Sequence, residues 1–190
     1  MKLIAQGAEA KIYESGSKVI KHRIKKSYRL PEIDRKLRKQ RTRAEARLLS
    51  KAGRAGVPVP QVLNVDEKQM KLEIEKINGL KLRDVLTPEL CKQVGKEIFK
   101  LHEANIVHGD LTTSNMILSQ NKVFLIDFGL AQYSEKIEDK AVDIHLFKEC
   151  LKSKHFDIWR MCWNQFLQSY KNKQVLERLK KVEKRGKYRH

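Results

Sequence analysis

Long apolar runs are absent from this sequence of 190 residues. No stretch approaches the ~20 apolar residues that a membrane-spanning helix requires, and residues 1–4 lack the extended apolar core of a secretory signal. Hydrophobic residues nevertheless make up 41% of the chain, which is too high a fraction for a disordered protein. We therefore expect one compact cytoplasmic unit with no membrane association.

Cysteine is also scarce, with only Cys91, Cys150 and Cys162 in the whole chain. Their odd number and wide spacing fit neither a disulfide framework nor a zinc ribbon. We interpret them as buried thiols in a reducing compartment.

Acidic residues are few relative to basic ones. The chain has 23 Asp and Glu against 41 Lys and Arg, a formal net charge of +18. Residues 18–54 carry 15 basic and 3 acidic residues, residues 171–190 carry 9 and 2, and the rest is close to neutral. A basic excess confined to two segments is typical of a protein that binds a phosphate-rich partner.

The first part of the chain has the pattern of an antiparallel sheet with one long helix. Apolar residues fall near helical spacing from Pro31, and Gly53 supplies a stop. Asn78-Gly79 is the natural boundary of this strand-rich lobe, residues 1–77. The expected strands are residues 3–5, 11–14, 18–23, 62–66 and 70–76.

The remaining residues, 78–190, have a mainly helical pattern. Thr87 and Pro88 supply a cap and a first turn for a helix that continues to about Leu101. A β-hairpin should follow the next loop, and the chain should end in helices and a basic tail. The expected hairpin strands are residues 116–118 and 123–126, the helices are roughly 141–151, 155–170 and 173–184, and the tail is 184–190.

Two oxygen-bearing side chains flank the expected hairpin. Asn115 and Asp127 each lie six residues from Asn121, so a hairpin that turns there brings both to the same end. Amide and carboxylate oxygens are ligands that Mg²⁺ prefers, and the neighbouring Asp110 can accept a proton or orient a water. The pattern predicts a magnesium site for phosphoryl transfer.

The order of these residues resembles the protein-kinase superfamily. The segment His108-Gly-Asp-Leu-x-x-x-Asn115 is similar to its catalytic loop, and Asp127-Phe-Gly129 is similar to its metal-binding triplet. The resemblance implies Asp110 as the catalytic residue and Asn115 and Asp127 as metal ligands. We expect His108 to be structural.

The same resemblance places the nucleotide-binding parts in the first lobe, with ATP and Mg²⁺ as cofactors. It implies that Lys21 pairs the α/β-phosphates, that Glu45 positions Lys21, and that Ile74 is the gatekeeper. It implies that Glu75 and Ile77 belong to the hinge that bonds adenine. The phosphate loop is reduced to Gln6, Gly7, Ala8, Glu9 and Ala10, with one glycine where protein kinases usually have three.

Further features narrow the resemblance. Gly109 is as in the RIO and aminoglycoside-kinase branches, and Thr112 stands where protein-serine kinases carry lysine. Only 13 residues separate Gly129 from Asp143, which leaves no Ala-Pro-Glu segment and no room for a peptide-docking platform. The expected fold is therefore α+β, a bilobal protein-kinase-like fold with a truncated C-terminal lobe.

This shortened form looks like the Bud-type small kinase of the KEOPS (EKC) complex over nearly the whole chain. The segments that carry the likeness include Ile20-Lys-His-Arg23, Tyr28-Arg-Leu-Pro31 and Arg41-Thr-Arg-Ala-Glu45. The resemblance implies an atypical serine/threonine kinase and ATPase that supports threonylcarbamoyladenosine modification of tRNA. The implied partners are a TsaD/Kae-type transferase, a small Cgi-type regulatory subunit and tRNA.

The two basic segments are expected to contact tRNA or an acidic partner. The alternative is that residues 35–43 form only the solvated face of an amphipathic helix. Like charges three and four residues apart destabilise such a helix, which favours a binding surface. The expected nucleic-acid contacts are Arg38, Lys39, Arg41, Lys184, Arg185, Lys187 and Arg189.

Three functions remain open at this point. The first is an ATPase that supports a tRNA-modifying partner, the second is a genuine serine/threonine kinase, and the third is a catalytically weak scaffold. The intact set of Asp110, Asn115 and Asp127 argues against the third.

Overall fold

The computed structural model of the chain describes residues 1–7 and 9–186. Within these residues, the first part is an antiparallel sheet accompanied by one long helix, α1 (Pro31–Arg54). All five predicted strands are confirmed, as β1 (Lys2–Gln6), β2 (Ala10–Ser15), β3 (Lys18–Arg23), β4 (Val62–Asp66) and β5 (Lys71–Glu75). Their order in the sheet is β1-β2-β3-β5-β4.

Helix α1 is held at both ends by local chemistry. Pro31 occupies its first turn, and the fully buried Asp34 accepts a hydrogen bond from Arg38 Nε at 2.7 Å. The helix continues one residue beyond the predicted stop at Gly53. The chain reverses instead at Gly56, whose φ of 77° lies in the left-handed region that glycine tolerates.

The second part of the chain is mainly helical, with short strands between the helices. The strands are β6 (Leu80–Lys81), β7 (Ile106–Val107), β8 (Met116–Ser119), β9 (Lys122–Leu125) and β10 (Gln132–Tyr133). Among the described residues, β6 pairs with β8 and β8 with β9, while β7 pairs with β10. The helices are α2 (Leu82–Val85), α3 (Pro88–Glu103), α4 (Ile137–Lys154), α5 (Trp159–Ser169) and α6 (Lys173–Gly186).

The predicted hairpin is confirmed as β8 and β9. Its two connecting residues, Gln120 and Asn121, both have positive φ, at 47° and 59°. This is the backbone form of a type I′ turn, whose twist matches that of the strands. The hairpin brings residue 115 and residue 127 to the same end, as the spacing predicted.

The helical core is built on aromatic side chains. Phe147, Phe166 and Tyr170 are fully buried, and the rings of Trp163 and Phe166 stack with centroids 5.3 Å apart. The aromatic side chains Trp163 and Phe166 of α5 therefore pack into the core. Cys91 and Cys162 are buried free thiols, and Cys150 is half-buried.

Three helix boundaries differ from the prediction by three or four residues. Helix α4 begins at Ile137 and ends at Lys154, four residues earlier and three later than expected. Helix α5 begins at Trp159, because residues 155–158 form a turn in which the Ile158 N–H donates to the His155 carbonyl at 3.1 Å. Apolar periodicity does not mark such ends, since a turn of this kind is local backbone geometry.

In the part of the chain that the structure describes, no helix combines the length and the apolar character needed to cross a bilayer. The division into lobes at residues 77 and 78 stays a prediction.

Gly95 lets α3 and α5 approach closely. A Cβ at this position would lie 2.6 Å from the Phe166 carbonyl oxygen and 2.1 Å from Ser169 Oγ. We expect Gly95→Ala to lower the free energy of unfolding by ~1–3 kcal/mol, because backbone must move to relieve the overlap. Urea unfolding monitored by circular dichroism measures the change.

Gly53→Ala is the matched control. A Cβ there meets only Val59 Cγ2, at an ordinary 3.5 Å, inside the last turns of α1. Alanine should raise the free energy of unfolding by up to ~1 kcal/mol through its helix propensity. Equal effects of the two substitutions would contradict the packing argument.

Candidate active site

A buried carboxylate joins the sheet to α1. Lys21 Nζ donates to Glu45 Oε1 at 2.7 Å, and the Arg23 guanidinium donates to Glu45 Oε2. Lys21 and Arg23 lie two residues apart on β3 and therefore on the same face of the sheet. Burial lowers the pKa of Lys21, but the carboxylates of Glu45 and Asp127 outweigh it, so the pKa lies above its ordinary value.

Asp127 forms an ion pair with the same lysine, Lys21. Its Oδ1 accepts from Lys21 Nζ at 2.5 Å and from the Gly129 N–H at 3.1 Å. Burial raises the pKa of Asp127, but the Lys21 ammonium outweighs it and holds the pKa below its usual range. The residue has a φ of 60°, a left-handed backbone conformation that is uncommon for non-glycine residues.

Asp110 and Asn115 form a second pair. Asn115 Nδ2 donates to Asp110 Oδ2 at 2.8 Å and to the Asp110 carbonyl oxygen at 3.0 Å. This leaves the amide oxygen of Asn115 free of that bond. Asp110 itself is exposed, so its carboxylate is open to an incoming group.

Asp143 of α4 anchors the loop that carries Asp110. This buried carboxylate accepts from the His108 N–H at 2.8 Å, the Gly109 N–H at 2.9 Å and His102 Nε2 at 3.1 Å. Gly109 has a φ of 78°, and a Cβ there would lie 2.4 Å from the Leu130 carbonyl oxygen. The glycine is thus required by close backbone approach.

His108 serves as a structural part of this loop. Its Nε2 lies 3.1 Å from the Ile126 carbonyl oxygen, to which it donates, and its ring packs on Phe128 with centroids 5.0 Å apart. These contacts fix the backbone next to Asp127, in agreement with the structural interpretation of the sequence.

A first cavity of about 380 Å³ lies between the sheet and the hairpin. Such a volume is typical of small-molecule sites. Its walls include the expected hinge residues Glu75 and Ile77. Polar groups converge at one end, namely Lys21, Glu45, Asn115 and Asp127, and apolar walls come from Ile4, Ala5, Ile12, Val19, Ile74 and Ile117.

A second cavity, of about 400 Å³, adjoins the first and shares Lys21 and Asp127 with it. Asp110 lines this second cavity rather than the first. Three residues of the phosphate loop, Gly7, Glu9 and Ala10, also face it.

The other two residues of the phosphate loop are Gln6 and Ala8. Gln6 ends β1, paired with Lys11, and lines neither cavity. Ala8 lies outside the described residues.

Comparison with known proteins identifies the family. Residues 6–152 match the model of the RIO domain. The KEOPS complex subunit Bud32 of Pyrococcus abyssi is 45% identical over 213 residues, which cover 100% of this chain and 97% of that protein. The chain belongs to the Bud32 branch of the RIO domain family.

A second relative is much longer than this chain. The probable bifunctional tRNA threonylcarbamoyladenosine biosynthesis protein of Methanothermobacter thermautotrophicus is 41% identical over 194 residues. The match covers 98% of this chain but only 36% of that protein, so the chain spans about a third of its length.

A solved structure shares the fold. The Rio2 kinase from Chaetomium thermophilum, in its ADP/Mg²⁺-phosphoaspartate complex, aligns with a TM-score of 0.64 at 15% identity, over 100% of this chain and 72% of that one. This confirms the predicted α+β kinase-like fold. As a member of the Bud32 branch, the chain is an atypical serine/threonine protein kinase/ATPase.

The donor set of this Bud32-type site fits Mg²⁺. Among the described residues, no group of three or more His, Cys, Asp or Glu side chains could hold a metal ion. Mg²⁺ does not require one, because it is usually bound through one or two carboxylates together with substrate phosphates and water. The amide oxygen of Asn115 and Asp127 Oδ2 are the donors that the hydrogen bonds leave open.

The expected nucleic-acid contacts on α1 are all engaged in ion pairs with acidic side chains. Arg38 is mostly buried against Asp34, and Lys39 lies 3.5 Å from Glu67. Arg41 bonds Glu9 at the second cavity.

The C-terminal basic residues are only partly described. Lys184 is exposed, and Arg185 donates to Glu138 at 2.8 Å. Lys187 and Arg189 lie outside the described residues.

Three side chains at the site were missed from sequence. Arg23 could have been found, because it alternates with Lys21 along β3. Lys81 lines the first cavity and donates to the Ser114 carbonyl at 3.1 Å, and burial together with Arg83 lowers its pKa. Neither Lys81 nor the cavity position of Arg41 has a local signal among so many basic residues.

Asp143→Asn tests the anchor of the catalytic loop. The amide replaces a charged acceptor of three hydrogen bonds, and we expect the free energy of unfolding at pH 7 to fall by ~2–4 kcal/mol. Burial raises the pKa of Asp143, but His102 and the loop N–H groups outweigh it, so the folded-state pKa lies below the ordinary value. The carboxylate therefore stabilises the fold above about pH 4, and this contribution is lost as the pH falls through the folded-state pKa.

Urea unfolding of the wild type and the variant from pH 7 downwards measures this. Their difference should shrink in acid, whereas Asp157→Asn, at an exposed position, should change stability by less than ~0.5 kcal/mol throughout. A difference that stays constant down to the lowest pH would refute the assignment.

Proposed function

We propose that this chain binds ATP and Mg²⁺ in the first cavity and acts as the kinase-like subunit of a KEOPS-type complex. Its ATP turnover supports threonylcarbamoyladenosine modification of tRNA by a TsaD/Kae-type transferase, with a small Cgi-type subunit as a further partner. The names of the two relatives support the complex and the tRNA modification. A cytoplasmic location accords with both.

The residues of the site have separate proposed roles in binding the nucleotide, holding the metal ion and transferring the phosphoryl group. Lys21, held by Glu45, pairs the α/β-phosphates, and the backbone of Glu75 and Ile77 bonds adenine. Asn115 and Asp127 hold Mg²⁺, which offsets phosphate charge when bound. Asp110 orients the attacking hydroxyl or water at the second cavity. The pairing of Lys21 with both Glu45 and Asp127 supports this arrangement.

One observation favours an ATPase function over the function of a peptide kinase. The chain between Leu130 and the start of α4 at Ile137 is six residues long and includes β10. A segment of this length provides no platform on which an extended peptide can dock, while the phosphoryl-transfer residues are complete. The cleft is thus equipped for ATP turnover without a peptide site beside it.

Serine/threonine kinase activity towards a folded protein is the second candidate. The exposed carboxylate of Asp110 favours it, because an acceptor hydroxyl on a bound partner can approach it from solvent.

ATP consumption with Mg²⁺, measured for wild type and Asp110→Asn with and without tRNA and the transferase, tests the function. The wild type should turn over ATP faster when both are added, and the variant should lose ~10²-fold or more, because its amide cannot act as a base. Asp84→Asn, at an exposed carboxylate outside both cavities, is the control. Turnover that is unaffected by Asp110→Asn, or by tRNA and transferase, would overturn the proposal, and transfer of labelled phosphate to a protein would favour the second candidate.

The C-terminal basic residues are proposed to contact tRNA. Neutralising Lys184, Arg185, Lys187 and Arg189 with glutamine should weaken tRNA binding and reduce the slope of log affinity against log salt by roughly 1 per lost phosphate contact. Fluorescence anisotropy with labelled tRNA over a salt series measures the slope. Glutamines at Lys68, Lys92, Lys96 and Lys122, exposed positions outside both basic segments, remove the same charge and should leave the slope unchanged. Equal slopes in both variants would contradict the tail assignment.

A further inference from the structure

Arg41 belongs to the second cavity. It lies on the same face of α1 as Glu45, one turn earlier, and so faces the side of the sheet that carries Lys21. Its Nη1 donates to Glu9 Oε2 at 2.7 Å, an ion pair that joins α1 to the phosphate loop. The two side chains are 40% and 39% exposed, so this pair is open to solvent.

The cations of the second cavity differ in their availability. Of the described residues that line it, Lys21, Arg23 and Arg41 are basic. Lys21 and Arg23 share the buried Glu45, and releasing either would leave a carboxylate buried with less compensation. Among the residues that the structure describes, Arg41 is paired with a half-exposed carboxylate on a loop, so its guanidinium can change partner at small cost.

Glu9 also lies next to a second cation, Arg29. Arg29 Nη2 lies 3.4 Å from Glu9 Oε1, and Arg29 is itself mostly buried. If an anion displaces Glu9 from Arg41, the carboxylate keeps a charged neighbour. The ion pair of Arg41 and Glu9 is therefore exchangeable at both partners.

The phosphate-binding equipment around the second cavity is otherwise reduced. The phosphate loop has a single glycine, and Thr112 stands where protein-serine kinases carry lysine. Asp110 and Asp127 add negative charge at the same place. A terminal phosphate located there needs a cation, and a guanidinium binds phosphate oxygens in a bidentate manner.

We propose that Arg41 binds the terminal phosphate of ATP and that Glu9 occupies its guanidinium until the nucleotide enters. This inference rests on the ATP use proposed above. It reassigns Arg41 from a tRNA contact to the nucleotide site.

The test compares a nucleotide that has the terminal phosphate with one that lacks it. The wild type, Arg41→Gln and Glu9→Gln are titrated calorimetrically in the presence of Mg²⁺. The titrants are ADP and the non-hydrolysable ATP analogue adenylyl imidodiphosphate. Arg41→Gln should weaken the analogue by roughly 10-fold to 100-fold, as for a lost charged hydrogen bond, and leave ADP within about 2-fold. Glu9→Gln should tighten the analogue by roughly 2-fold to 5-fold, because it removes the competing carboxylate.

A double variant and a control substitution at a neighbouring arginine test whether the effects are specific to the pair of Arg41 and Glu9. In Glu9→Gln combined with Arg41→Gln, the gain from Glu9→Gln should vanish, because the guanidinium it frees is absent. Arg43 lies on α1 as Arg41 does and forms an exposed ion pair with Glu67. Arg43→Gln removes this pair and should leave the affinities for ADP and for the analogue unchanged.

Equal changes for ADP and the analogue would mean that the pair only clamps the loop, which overturns the proposal. So would an unchanged affinity of Arg41→Gln for the analogue. Failure of the wild type to bind either nucleotide would instead remove the proposed function, and this inference with it.

Discussion

The buried carboxylate of Glu45 is the interaction on which the rest of the site depends. A charge that is 3% exposed must be paired, and here the sheet supplies two cations, Lys21 and Arg23. Lys21 in turn reaches Asp127 beyond the hairpin. One network therefore fixes the positions of α1, the sheet and the loop that carries Asp127 relative to one another. Because Arg23 holds the second oxygen of Glu45, α1 keeps a bond to the sheet even when Lys21 changes partner.

Asp143 provides the second fixed point, on the helical side. It holds the backbone of His108 and Gly109 from a position on α4, so the loop that carries Asp110 is positioned by a buried group. Neither anchor belongs to the short chain between Leu130 and Ile137. The two anchors of the candidate site therefore lie outside this segment, which contacts the same region through the pairing of β10 with β7.

Much of the fold and of the site could be predicted because the signals are local. Strand alternation, the apolar spacing of α1 and α3, and the turn at Gln120 and Asn121 each depend on neighbours in sequence. The two-residue strands β6, β7 and β10 could not be predicted, because so short a segment has no period. The starts of α4 and α5 were misplaced for a related reason, since their turns are set by single backbone hydrogen bonds.

The sequence by itself determined which chemistry the chain carries, because Asp110, Asn115, Asp127, Lys21 and Glu45 stand in an order and spacing that identify a kinase-like site. It also determined that two segments hold nearly all the excess positive charge. Only the tertiary structure decided which basic residues face the cleft. Arg41 and Lys81 are indistinguishable from solvated neighbours in a linear pattern, and their selection depends on contacts between residues as far apart as Arg41 and Glu9. Long-range pairing of this kind is a property of the fold and has no period along the chain.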